Sequence, residues 1–195
     1  PRQLEEEPQP GQLPRQRVKD QNIASLDASY NGTQGSSIAK VFDLTVASTG
    51  ENEKTLVKRG LVKGKDFETV TITQNNHASY YPGAVPMTLK LLFSRDGKKI
   101  YGAQIVGRDG VDKRIDAIGV ATRLSASVTD LKELEFAYAP PFSSAKDPVN
   151  YAGFVAANVL RWGTGAINVD GCRVESGPSA GGSISGASAL GQSSG

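Results

Sequence analysis

Asp96-Gly97 stands between two runs of strand-forming residues, 87–93 (MTLKLLF) and 99–106 (KIYGAQIV). An Asp-Gly pair so placed suits a tight hairpin turn, which makes the two runs antiparallel neighbours. That pairing limits what the rest of the chain can become. Two further segments alternate with the period of a strand, 40–47 (KVFDLTVA) and 67–73 (FETVTIT). Between them a short helix opens near 49–53, behind a capping threonine or a neighbouring polar residue, and ends at Gly60 or Gly64. Beyond Gly110 the apolar period becomes helical. Val111, Ile115, Ile118, Val120 and Leu124 can share one face of a helix over 112–125. Ser127 or Thr129 caps a shorter helix over 130–134, and Asp147-Pro148 starts a last one carrying Val149, Phe154, Val155, Val159 and Leu160. Strands first and helices after define an α+β domain, an antiparallel sheet of about four to five strands flanked by helices. The folded unit is expected between about residues 38 and 162.

The ends read differently. Residues 1–21 carry the Glu5-Glu6-Glu7 run among prolines and glutamines, and are expected to be a disordered leader. Residues 163–195 grow rich in Gly, Ser and Ala and are expected to be a disordered or non-native tail. Charge is nearly balanced, 22 Lys and Arg against 20 Asp and Glu, which gives no reason to expect a nucleic-acid partner. Cys172 is the one cysteine, so the chain alone builds no disulfide and no thiolate zinc cluster; a reducing, cytoplasmic setting fits. No apolar run approaches the roughly 20 residues of a membrane helix.

Conventional catalytic groups are scarce. His77, the one histidine, lies in a polar Asn-Asn-His-Ala-Ser stretch and reads as a turn residue, because a general base needs an orienting partner and a nucleophile in reach. Cys172 beside Arg173 reads as an incidental thiol. The glycines between Gly102 and Gly110 do not form a dinucleotide fingerprint and are better explained by close sheet packing and a strand-ending turn. Asp112, Lys113, Arg114 and Asp116 read first as helix-dipole compensation and i,i+4 pairing, with an interface or supporting network as the functional alternative.

Two tyrosine-proline motifs are different: Ser79-Tyr80-Tyr81-Pro82-Gly83 and Ala137-Tyr138-Ala139-Pro140-Pro141-Phe142. Prolines stiffen such turns, so that Tyr80 and Tyr138 can be presented to another group, though partly buried loop aromatics remain an equal reading from composition alone. Tyr81, Tyr101 and Tyr151 read as core or interface aromatics.

Four ordered segments, KVFDLTVASTG (40–50), HASYYPGAVP (77–86), GAQIVGRDGVDKRID (102–116) and FAYAPPFSSAKDPVN (136–150), resemble the C-terminal dimerisation domain of flavoprotein pyridine nucleotide-disulfide reductases. The similarity covers about residues 22–160, which sets a dimerisation domain over 22–162, and is strongest to the CoA-disulfide reductase, NADH oxidase and NADH peroxidase branch. It implies a homodimer in which Tyr80 and Tyr138 act on the partner subunit's site, near its flavin and redox cysteine. It implies interface positions at Asp112, Arg114, Pro140, Pro141, Phe142, Asp147 and Tyr151. FAD and NAD(P)H would be bound by preceding domains of a parent enzyme, and this chain alone would bind neither and turn over nothing. Within the family, an NADH oxidase or peroxidase is the alternative to a disulfide reductase. Outside it stand a free-standing interaction module that uses exposed tyrosines on single strands of nucleic acid, and a small hydrolase built on His77.

Overall fold

The structure, a computed structural model, describes residues 32–162. The expected leader, residues 22–31, the tail and Cys172 lie outside the described residues. The elements run β1 (Ser37–Val41), β2 (Leu44–Gly50), α1 (Glu53–Lys58), β3 (Phe67–Asn75), β4 (Pro86–Ser94), β5 (Ile100–Gly107), α2 (Val111–Arg123), α3 (Val128–Glu133) and α4 (Pro148–Trp162). The strands form one five-stranded sheet in the order β1-β2-β5-β4-β3, with every neighbouring pair antiparallel.

The Asp96-Gly97 hairpin forms as expected. Gly97 takes a φ of +73°, and the Asp96 carboxylate accepts the Ser94 hydroxyl at 2.6 Å and the Lys98 N–H at 3.1 Å. The segment 40–47 is not one strand but two. The chain reverses at Phe42-Asp43, and Val41 pairs with Leu44. Val41 and Leu44 share a face because they pair, so the alternation shifts by one residue at the turn. Composition does not flag the reversal: Phe42 itself takes the left-handed conformation, φ +55°, which bulky residues rarely adopt.

One face of the sheet carries the main core. Ala47, Ile105, Leu89 and Ile72 lie side by side in register across four strands. Helix α2 lies over β2 and β5, and α4 over β3 and β4. The inward stripe of α2 is Val111, Arg114, Ile115, Ile118 and Ala121. Val120 and Leu124, expected on that stripe, are 60% and 76% exposed. Two residues beyond Ile118 is more than half a turn, so Val120 points away. Leu124 is the C-cap, where the helix has already ended.

The helix ends are well specified. Ser127, not Thr129, caps α3 and forms a reciprocal capping box with Asp130. Asn52 is the polar cap of α1, accepting the Thr55 N–H at 2.9 Å, and Gly60 follows the last turn with φ +87°. Helix α1 covers the other face of the sheet through Leu56, which packs on Phe67 and Leu92. Strand alternation sends Leu92 to this side while Leu91 and Phe93 serve the main core. Each of these fully buried apolar side chains contributes about 1.5–3 kcal/mol of transfer free energy. Gly102 permits the close approach of β5 to the β2–α1 junction: a Cβ there would lie 2.5 Å from the carbonyl oxygens of Thr49 and Glu51. Among the described residues no helix is long and apolar enough to cross a membrane.

Candidate functional site

β3 and β5 end at the same edge of the sheet, and there the chain makes two long excursions. Residues 76–85 join β3 to β4, and residues 134–147 join α3 to α4. Each excursion carries one of the tyrosine-proline motifs. The structure brings their tips together: the Tyr80 and Tyr138 hydroxyls are 3.0 Å apart. Tyr80 is 74% exposed and Tyr138 51%, so the pair stands on the surface rather than in a core. Tyr81 and Phe142 are exposed beside them in the same loops, with Phe142 at 69%.

The hydrogen bond to Tyr138 is the main reason the Tyr80 phenol is held above its ordinary pKa, with loss of hydration a lesser cause. Either hydroxyl can donate in that contact; with Tyr80 as the donor, the Tyr138 hydroxyl keeps a proton to give outward.

Beneath the pair lies a polar network that no sequence pattern announced. Arg114 and Asp147, expected at an interface, do not reach the surface; they are 1% and 2% exposed. Their pairing is internal: Arg114 Nε donates to Asp147 Oδ2 at 3.0 Å and Nη2 to the same oxygen at 2.9 Å. The i,i+4 reading of this charged stretch is likewise replaced for Arg114, whose partner is 33 residues away. Asp147 also accepts the Ser143 hydroxyl at 2.9 Å and the Val149 N–H at 3.1 Å, the second bond capping α4. Asn150 ties the start of α4 to the end of α3 through the Leu131 and Leu134 carbonyls, at 3.0 and 2.9 Å. Asn76 accepts the Val85 N–H at 2.9 Å across the base of the first loop and donates to Asp109 at 2.6 Å.

The remaining expected residues are dispersed. Asp112, Pro141 and Phe142 are exposed, and Pro140 and Tyr151 are half-buried. Lys113, not singled out as a site residue, donates to the Phe142 carbonyl at 2.6 Å; burial, and then the neighbouring Arg114 charge, lower its pKa. His77 differs from an open turn residue. It is 7% exposed, with its ring edge-on to Tyr81 at 5.7 Å and Nδ1 beside the Ala78 carbonyl. Its contacts pack the loop and present no nucleophile to it. Among the described residues no group of three His, Cys, Asp or Glu side chains is placed to hold a metal ion.

An antiparallel sheet with two helices packed on one face is an architecture shared with the dimerisation domains of pyridine nucleotide-disulfide oxidoreductases. The family described as "pyridine nucleotide-disulphide oxidoreductase, dimerisation domain" matches residues 36–148, and the chain belongs to it. The coenzyme A disulfide reductase of Staphylococcus epidermidis is 39% identical over 139 residues, which is 71% of this chain and 30% of that protein. The chain thus spans less than a third of the curated relatives it matches. Among solved structures, reduced Bacillus anthracis CoADR-RHD is 53% identical with a TM-score of 0.66, covering 69% of this chain and 24% of that one. An NAD-dependent persulfide reductase from A. fulgidus is 39% identical with a TM-score of 0.65, with the same coverage of 69% and 24%.

Proposed function

We propose that this domain completes the active site of a partner subunit in an FAD- and NAD(P)H-dependent disulfide reductase of the CoA-disulfide reductase kind, working as a homodimer in the cytoplasm. The observation that carries the reading is the 3.0 Å contact between Tyr80 and Tyr138 on an exposed surface. The two phenols, 58 residues apart in sequence, converge where the described residues give them nothing to act on. The names of the most similar curated relatives support the substrate class.

The described residues do not fit a flavin or nucleotide cradle. Gly102 is filled by backbone, and a Cβ at Gly107 would lie 2.7 Å from Met87, so these glycines serve packing rather than phosphates. In this reading both cofactors are held by other domains of the parent enzyme. What this chain supplies is a proton and a hydrogen bond. When a cysteine thiolate of the partner attacks a substrate disulfide, a new S–S bond forms, the old one breaks, and the leaving sulfur departs with a negative charge. Tyr138 donates its outward O–H to that sulfur, and Tyr80, already bonded to the Tyr138 oxygen, stabilises the phenolate that remains.

In the full-length enzyme, Tyr138→Phe is expected to slow disulfide turnover by about a hundredfold or more, the usual range for a positioned acid. Flavin reduction by NAD(P)H, followed by stopped-flow absorbance, is expected to be unchanged. Undiminished disulfide turnover in that variant removes the role.

A further inference from the structure

Arg114 is an anomaly in its surroundings. It sits on the apolar stripe of α2, in line with Val111 and Ile118, and is among the largest fully buried side chains of the domain. A buried guanidinium is tolerated when its donors are matched, and the way Arg114 is matched is informative. Its fork reaches three separate segments. Nη2 donates to the Asn76 carbonyl at 2.6 Å, Nη1 to the Gly110 carbonyl at 2.9 Å, and Nε with Nη2 to Asp147. Asn76 is the first residue of the Tyr80 loop and Asp147 the last of the Tyr138 loop.

The two loops are then joined to each other above the guanidinium. Ser143 donates its hydroxyl to Asp147, and its carbonyl accepts the Ala78 N–H at 3.2 Å. Ala78 is two residues from Tyr80. The Ser143 N–H returns to the Ala139 carbonyl at 3.1 Å, one residue from Tyr138. A closed circuit of bonds thus runs from Arg114 through Asn76 and Ala78 to Ser143, Asp147 and back, and each tyrosine hangs one or two residues off it.

We propose that Arg114 is a positioning residue for the tyrosine pair: its guanidinium, clamped by Asp147 and the Asn76 carbonyl, sets the loop geometry that brings Tyr80 and Tyr138 into hydrogen-bond contact. An apolar pair of equal volume would fill the same space and cost less desolvation. It could not bond the Asn76 and Gly110 carbonyls, which belong to irregular backbone with no ladder partner at those positions. Lysine is no substitute, because a single ammonium cannot serve three segments in one planar fork.

The functional weight of this role rests on the tyrosine pair acting as proposed above, but its test reads the pair directly. The phenols are titrated in the full chain by NMR of ¹³C-labelled tyrosine, with Tyr→Phe variants to assign the signals. In the parent sequence the Tyr80 midpoint is expected above the ordinary phenol range, and Tyr138→Phe is expected to bring it down. In Arg114→Lys the Tyr80 midpoint is expected to fall to the same value, and adding Tyr138→Phe is expected to shift it no further. Should Arg114→Lys fail to fold, Ser143→Ala cuts one tie of the second loop and leaves the buried pair in place; a smaller fall in the same direction is expected. An unshifted Tyr80 midpoint in either folded variant overturns the proposal. A lost coupling with undiminished disulfide turnover would instead overturn the catalytic reading and leave the positioning role standing.

Discussion

Two arginine–aspartate pairs flank the turn at Gly110, and they teach opposite lessons. Arg108 reaches Asp43 of the β1–β2 turn at 2.7 Å, with side chains 61% and 60% exposed. Arg114 reaches Asp147 at 2.9 Å, with both side chains 1% exposed. Distance alone would rank the first pair as the stronger. Burial reverses the order. The exposed pair trades hydration for a weak, screened attraction and must also order two long side chains. The buried pair has given up its water entirely, so removing one partner strands a charge in low dielectric. The buried pair also has work beyond its own attraction: Arg114 donates to the Asn76 carbonyl of the Tyr80 loop, and Asp147 accepts the Ser143 hydroxyl of the Tyr138 loop. The exposed pair touches a turn that carries no site residue.

The comparison is broken most directly at its strong end. Asp147→Ala leaves Arg114 buried without its counter-charge and removes the α4 cap and the Ser143 bond together. A loss of about 3–5 kcal/mol is expected, the cost typical of breaking a buried pair. The measurement is a urea or guanidinium midpoint at constant slope. A loss below about 1 kcal/mol would place the buried pair in the same class as the exposed one.

A second variant sharpens the scale between the two extremes. Glu53 in α1 accepts from Lys90 at 2.6 Å and lies 3.2 Å from Lys63, with side chains about a quarter to a third exposed. The hydrogen bond from Lys90, followed by the contacts to Lys63, lowers the Glu53 pKa from its ordinary value of 4.5. A depressed carboxyl contributes stability that is present above the unfolded pKa and lost as pH falls through the folded one. Glu53→Gln is therefore expected to be less stable than the parent at pH 7, by under about 1 kcal/mol after solvent screening, and equal to it at pH 3. A stability gap that persists at pH 3 would mean that packing, not charge, carries the contact.

How much of this was legible in the sequence depends on whether the signal was local. The Asp96-Gly97 hairpin, the Ser127 cap and the Asp147-Pro148 helix start are set by neighbours a few residues apart, and each forms where the residues place it. The Phe42-Asp43 reversal is also local but hidden, because no Gly or Asn marks it and its left-handed position falls on Phe42, a bulky residue that rarely adopts that conformation. The tyrosine pair was legible as two motifs, and not as a contact: nothing in residues 79–83 and 137–142 states that their hydroxyls end 3.0 Å apart. The Arg114–Asp147 link joins residues 33 apart, and its components read individually as a helix-dipole charge and a helix cap. A signal did exist. Arg114 falls on the same helical stripe as Val111, Ile115 and Ile118, and a charge on an apolar stripe requires a buried partner. Val120 and Leu124, which face away, stood in the expected stripe, and Arg114, which faces inward, did not.

The weak end of the comparison carries the smallest expected effect and the clearest control. Asp43→Ala removes the Arg108 partner on an exposed turn, where the Arg108 guanidinium is rehydrated at once. The expected change in stability is below about 0.5 kcal/mol and vanishes in high salt. Asp43 also occupies the second turn position after Phe42, whose φ of +55° is already strained, so a purely backbone effect would persist in salt where an ion-pair effect would not. Denaturation midpoints at low and high ionic strength separate the two. A salt-independent loss above about 1 kcal/mol would show that Asp43 supports the turn rather than the pair, and that exposure alone does not rank these residues.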